Sequence, residues 1–263
     1  MKLRLDKEKL LAHIVDEKQI LNMRRVLDQI EIVINKHTIG VTDFMDPYER
    51  KLAESILNRF MDISYSEIGG IEKAERKVIL IYPEYMKHQD IKSPISSLMI
   101  NGNIKNLSHR DFLGGILNLG INREKIGDIL IHEDNVQVVV KNEIFDYILI
   151  SLMKIGKENV KVKEIPLEKL RKGILEYEDI YTTVSSLRLD ALISGAWNLS
   201  RKDGQRLVES KKVKVNWEPI DRVFKDIEEG DIISAKGYGR FILNSINGIS
   251  KKGRVRVKLR LLK

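Results

Sequence analysis

The chain has 263 residues, 43% hydrophobic and 32% charged with five prolines, a composition that excludes a disordered chain and allows two or three modules with cores of their own. It contains no cysteine, which excludes disulfides, thiolate chemistry and sulfur-based zinc sites; no apolar run approaches the roughly 20 residues of a membrane span and MKLRLDKEKLLAHIVDEK is too charged for a signal peptide, so a cytoplasmic protein without membrane contact is expected. The net charge of +8 is uneven, since residues 185–263 carry 18 Lys+Arg against 9 Asp+Glu while residues 236–263 hold nine basic side chains and no acid, the distribution of a surface that faces a polyanion, nucleic acid above all.

In DEKQILNMRRVLDQIEIVINKH, apolar residues recur at helical spacing at Ile20, Met23, Leu27, Ile30 and Ile34, and Asp16 with Gln19 forms a capping pair. DPYERKLAESILNRFM starts a second helix, with Asp46 as cap, Pro47 at the first helical position and Glu49 reaching back. Residues 1–72 therefore read as a helical region, closed by Gly69 and Gly70. Short apolar strands follow, RKVILIY, ISSLMING, KIGDILIH, VQVVVK and NVKVKEI. Two helices interleave with them: SHRDFLGGILNLG, capped by Ser108 with Asp111, and NEIFDYILISLMKIG, expected to end at Gly156. This order describes an RRM-like or ferredoxin-like α/β sandwich over residues 73–182.

Residues 183–263 form the third module. TVSSLRLDALISGAWNLS places Leu189, Leu192, Ile193 and Ala196 on one helical face, and Ser200 with Asp203 caps a short second helix, SRKDGQRLVES. KVKVN and EEGDIISA supply strands. RVRVKLRLL alternates, sending Arg254, Arg256, Lys258 and Arg260 to one face and Val255, Val257, Leu259 and Leu261 to the other. The fold class is α+β and multi-domain.

Several motifs have bland explanations. HRDFL at 109–113 is similar to a kinase catalytic loop, but Ile116 stands where the magnesium-binding Asn belongs, and Asp111 serves as a helix cap. GYGR at 237–240 lacks the third glycine of a dinucleotide fingerprint. His13, His37, His88, His109 and His132 show no pair at helical ligand spacing. Asp43, Asp46 and Glu49 cluster, yet the helix start already uses the last two. No catalytic residue, metal or cofactor is assigned.

The basic residues carry the positive reading. Arg201, Lys202 and Arg206 lie on a helix whose other face holds Leu207 and Val208, and Gly204 permits close packing on the preceding helix. Lys211, Lys212 and Lys214 extend the charge into a strand whose Val213 and Val215 point to the core. A short helix with a free N-terminus beside a basic hairpin suits phosphate oxygens, and Arg188, Lys236 and Arg240 extend this candidate RNA-binding surface. Trp197 closes an apolar helix and reads as buried, whereas Trp217 and Tyr238 are compatible with either core packing or base stacking.

The run SLRLDALISGAWNLSRKDGQRLVESKKVKVNWEPIDRVFKDIEEGDIISA resembles the ribosomal S-four-type RNA-binding domain, or alpha-L motif, through Arg188-Leu189-Asp190, Ser200-Arg201, Arg206, Val213 to Asn216 and Gly230-Asp231. It departs at two turns: Lys211 stands where glycine is common, and Trp217 follows Asn216 where Asn-Gly is usual. TDFMDPYER, HRDFLGGILNLGINREKIGDI and SAKGYGRF, in this order, resemble the bacterial YlmH family of RNA-binding proteins. That resemblance implies an N-terminal helical segment, an RRM-like middle domain and a C-terminal S-four-type domain. It also implies a non-enzymatic role on the large ribosomal subunit, with obstructed peptidyl-tRNA complexes in ribosome-associated quality control, and a less direct link to cell division.

The expectation is a monomeric RNA-binding protein that clamps structured ribosomal RNA or tRNA. Two other readings stand beside it. One is an RNA-modifying enzyme, because domains of this type accompany pseudouridine synthases, whose Arg-Leu-Asp element Arg188-Leu189-Asp190 mimics, although the triplet opens a helix and the chain after it is short for a catalytic domain. The other is an adaptor whose middle domain binds a protein, because residues 73–165 lack an RRM aromatic signature.

Overall fold

Helical periodicity builds the first layer: α1 (Lys7–Leu11) is followed by α2 (Glu17–Lys36), which buries Met23, Val26, Leu27, Ile30 and Val33 along one stripe. The structure, a computed structural model, describes residues 3–262, whose contacts gather into two units that divide between Ile174 and Leu175. Asp16 Oδ1 accepts from the Gln19 amide at 3.0 Å at the start of α2. After β1 (Gly40–Val41), α3 (Pro47–Leu57) opens with reciprocal 2.9 Å hydrogen bonds between Asp46 and Glu49, so both caps read from the sequence are present.

β2 (Ile63–Ile68) and β3 (Val78–Pro83) join β1 in an antiparallel sheet of order β1-β3-β2. Its Ile63, Ile79 and Ile81 pack with the α2 stripe and with Ile56 and Leu57 of α3. The expected helical region ending at residue 72, with RKVILIY assigned to the next module, is therefore corrected. ISYSEI turns Ile63 and Tyr65 toward the helices, and β3 satisfies its backbone along the full length of β2 rather than with the strands that follow it.

The middle of the unit contains β4 (Ile95–Gly102), α4 (His109–Leu117), β5 (Ile126–Ile131), β6 (Val136–Lys141), α5 (Asn142–Ser151), β7 (Lys154–Ile155) and β8 (Glu158–Ile165). Their antiparallel sheet has the order β5-β6-β4-β8-β7, the split βαβ arrangement of ferredoxin-like and RRM-like domains. Phe112, Ile116 and Ile148 of the two helices pack on Leu98, Ile100, Val136, Val138 and Val140. At the start of α4, the Asp111 carboxylate accepts from the Ser108 amide at 2.8 Å and hydroxyl at 2.6 Å. α5 stops at Ser151, not at Gly156; Gly156, with φ of 59°, lies in the turn of the β7–β8 hairpin.

The second unit comprises β9 (Tyr177–Val184), α6 (Leu189–Trp197), α7 (Arg201–Glu209), β10 (Val213–Val215), β11 (Glu218–Ile220), β12 (Ile232–Ala235), β13 (Gly239–Ile249) and β14 (Val255–Leu262). Its antiparallel sheet runs β11-β10-β12-β13-β14-β9. Leu189, Leu192, Ile193 and Val208 of the helices share one core with Val213, Val215, Ile233, Phe241, Leu243, Val257 and Leu259 of the sheet. β14 alternates as the sequence pattern requires. The expected boundary at residue 182 is corrected, because β9 pairs with β14 from Tyr177 opposite Leu262 to Val184 opposite Val255, covering what would otherwise be a long bare edge.

Candidate nucleic-acid interface

The α6–α7 pair is organised around Asp190, whose side chain is fully buried. Its carboxylate accepts from Arg188 Nε and Nη2 at 3.2 Å, and from Arg201 Nε and Gln205 Nε2 at 3.1 Å. Burial pushes this carboxyl up, but the hydrogen bonds from Gln205 and Arg201 and the charges of Arg201 and Arg188 outweigh it and hold the group below the usual carboxylate range. Arg201 also donates to Ser185 Oγ at 2.8 Å, and the Arg188 guanidinium lies 4.0 Å over the Phe224 ring. Two predicted phosphate-binding arginines thus turn a face inward to a structural acid. A side chain at Gly204 would bring its Cβ to 2.9 Å from Asp190 O and 2.8 Å from Ser194 Oγ, so glycine is what lets α7 lie this close to α6.

Lys202 and Arg206 are exposed on the outside of α7. The helix N-terminus expected to be free is capped: Ser200 Oγ accepts from the Asp203 amide at 3.1 Å, placing an acid in the first turn. Arg206 lies 3.6 Å from Asp203 and Lys211 4.0 Å from Asp221, exposed pairs of the kind that contribute little and leave the cations available.

The two turns flanking β10 place residues other than glycine in left-handed backbone. Lys211 has φ of 55°, its amide donates to Val208 O, and the Lys212 amide donates to Leu207 O, the pair of bonds that ends a helix on a left-handed residue. Asn216 and Trp217, with φ of 49° and 66°, make the two-residue turn between β10 and β11, the type that favours Asn-Gly. Asn216 is further tied to β12, donating to Asp231 Oδ1 at 2.7 Å and accepting from the Ile232 amide at 3.0 Å.

The remaining candidates divide between two surfaces. Val213 and Val215 enter the core beneath the helices, so the alternation of β10 sends Lys214 to the sheet face away from α6 and α7. Lys214 pairs with Ser234, which pairs with Arg240, so Arg240 shares that outer face. Lys211 and Lys212 are exposed at the junction from α7 into β10, and Lys236 is exposed between β12 and β13. Trp197 is half-buried and packs edge-on to Phe241 at 5.1 Å, with Tyr238 at 5.4 Å; Trp217 lies 5.3 Å beneath the Arg240 guanidinium.

In the first unit, the sheet face that RRM domains use for bases is occupied. Val139 and Ile95 on that face pack with Phe44, Val78, Leu167 and Leu170, and Gln137 is buried against the irregular segment after β8, accepting from the Arg171 amide at 2.8 Å. A cleft of about 370 Å³ beside α2 is lined by Asp43, Lys125 and Lys141, but these pair with one another, Asp43 lying 2.7 Å from Lys125 and 3.1 Å from Lys141. Among the described residues, no cluster of three or more His, Cys, Asp or Glu side chains could hold a metal, and no helix is long and apolar enough to cross a membrane.

Two family models match this chain: "YlmH, N-terminal" over residues 18–86 and "Putative RNA-binding domain in YlmH" over residues 87–169. It is also 32% identical over 244 residues to the "Ribosome-associated protein quality control protein P2" of Bacillus subtilis, spanning 92% of this chain and 94% of that one. The chain belongs to the YlmH family. A solved structure of the cell division protein ylmH from Streptococcus pneumoniae is 26% identical, covers 60% of this chain and 97% of its own, and superposes with a TM-score of 0.49.

In this member of the YlmH family, the matched boundary between residues 86 and 87 falls after β3, in line with the pairing of β3 to β2. Sequence reasoning missed Gln205, which donates to Asp190, and Ser185 and Phe224, which hold Arg201 and Arg188. Gln205 lies four residues after Arg201, one helical turn on, and that spacing could have identified it as a partner for the same acid. Phe224 gave no such signal.

Proposed function

We propose that this chain is a non-enzymatic cytoplasmic RNA-binding protein that acts as a monomer on the large ribosomal subunit, holding structured ribosomal RNA or tRNA in ribosome-associated quality control. The observation that carries the reading is the group of exposed cations, Lys202 and Arg206 on a helix that the buried Asp190 network ties to α6, and Lys211 and Lys212 on the turn that follows it. The family model described as RNA-binding and the name of the Bacillus relative support it. The left-handed backbone at Lys211, Asn216 and Trp217 supports an S-four-type domain in the second unit. Arg188, Arg201, Lys214, Lys236 and Arg240 complete the proposed contacts, Arg188 and Arg201 with their outer edges only. The enclosure of Asp190 by Arg188, Arg201 and Gln205 speaks for a structural acid and against a pseudouridine-synthase role for the Arg-Leu-Asp triplet.

The test is co-sedimentation of the full chain with large ribosomal subunits. Lys202→Glu combined with Arg206→Glu is expected to abolish co-migration while leaving the melting temperature unchanged, because neither side chain joins the Asp190 network. Undiminished co-migration of that folded variant would remove the assignment.

A further inference from the structure

The outer face of the C-terminal sheet carries a pattern that the α7 surface does not. β9 and β14 direct Ile180, Val184, Val257 and Leu259 into the core. Alternation therefore sends Tyr177, Asp179 and Tyr181 of β9, with Lys258 and Arg260 of β14, to the opposite face. The register sets Lys258 directly across from Tyr181 and Arg260 across from Asp179. Lys258 Nζ lies 5.4 Å from the Tyr181 ring centroid and Arg260 Cζ 5.5 Å from that of Tyr177. Asp179 positions both cations, at 2.8 Å from Lys258 Nζ and 3.1 Å from Arg260 Nε. Across β13 the same face continues to Arg240 over Trp217.

These rings are not core residues. Tyr181 is 71% exposed and Tyr177 38% exposed, so each keeps ring surface open beyond what its cation covers. An exposed ring beside a fixed cation is the combination that holds single strands, because any base can stack on the ring while the cation meets the neighbouring phosphate. Tyr177 and Tyr181 stand about 13 Å apart, four residues along one strand, which matches bases displayed by an extended single strand rather than the stacked interior of a duplex. An acidic peptide would satisfy the cations but has no need of the rings.

We infer that the outer face of the β9–β14 sheet, centred on Tyr177, Tyr181, Lys258 and Arg260, binds single-stranded RNA by stacking, as a second surface beside the α7 grip on structured RNA. The inference deepens the RNA-binding reading above, and the two surfaces fail separately. Affinities of the full chain are measured for two probes, a short oligouridine and a blunt RNA duplex. Tyr177→Ala with Tyr181→Ala is expected to weaken oligouridine binding about ten-fold or more, as loss of base–ring stacking implies, with duplex affinity unchanged. Tyr177→Phe with Tyr181→Phe retains oligouridine binding, since the rings remain. Lys202→Glu with Arg206→Glu shows the converse selectivity, losing the duplex. Oligouridine affinity unchanged in the alanine pair, or lost equally in the phenylalanine pair, overturns the inference and leaves the α7 reading standing; an unchanged duplex affinity in the Lys202, Arg206 pair removes the α7 reading and leaves this one.

Discussion

Asp190 shows how one residue can decide what its neighbours are free to do. Its carboxylate is buried and compensated by Arg188, Arg201 and Gln205, so removing a compensating cation leaves a charge in a poorly solvated place. Arg201→Ala is expected to destabilise the second unit by about 1 to 3 kcal/mol, less than a wholly buried pair because Arg201 is itself partly exposed. The pH dependence has a definite sign. Asp190 sits below the ordinary carboxylate range in the folded chain, so its contribution is complete above that range and is lost as pH falls through the depressed folded value. Without Arg201 the folded value rises toward the ordinary one, and acid unfolding, followed by circular dichroism, begins at higher pH. Lys202→Ala, which touches none of this, leaves the acid limb where it is. An identical acid limb in Arg201→Ala would show that Arg188 and Gln205 suffice and that Arg201 is available to phosphate after all.

At the scale of elements, the turns around β10 retain a costly backbone. Lys211 and Trp217 occupy left-handed positions where glycine carries no Cβ penalty. Lys211→Gly is expected to stabilise the second unit by about 0.5 to 1 kcal/mol, raising its melting temperature by about 4 °C, while weakening RNA binding through the lost cation. A lowered melting temperature would mean that the Lys211 side chain packs more than its exposure indicates. Trp217→Gly gains less, because it gives up the contact with Arg240. These turns also mark the limit of what was legible in the sequence. Caps at Asp16, Asp46, Ser108 and Ser200 were readable because cap and partner lie three residues apart, and the alternation of β14 was readable because it is local. Strand ownership was not: β9 and β14 meet over 81 residues of separation at Asp179 and Arg260, and β3 can be assigned only by knowing which neighbour its backbone satisfies. For the candidate site, the type and cluster of charge were legible, but the inward turn of Arg188 and Arg201 depends on tertiary partners that no local pattern displays.

For the whole molecule, charge and fold divide unequally. Residues 185–263 carry 18 Lys+Arg against 9 Asp+Glu, whereas in the first unit the outer sheet face is covered by apolar packing and Lys125 and Lys141 are compensated by Asp43 and Glu143. A polyanion bound through the second unit releases counterions in proportion to the phosphates it meets there, so the salt dependence of affinity locates the contacts without a structure of the complex. Replacing Lys202, Arg206, Lys211 and Lys212 together by glutamine removes up to four phosphate contacts and is expected to make the slope of log affinity against log salt shallower by about 3 for duplex RNA. Replacing Lys161 and Lys163, exposed on β8 of the domain matched as RNA-binding, serves as the comparison and is expected to leave the slope as it was. Filter binding across a salt series separates the outcomes. A slope that responds to Lys161 and Lys163 but not to the four cations around α7 would move the RNA to the first unit, and with it the site.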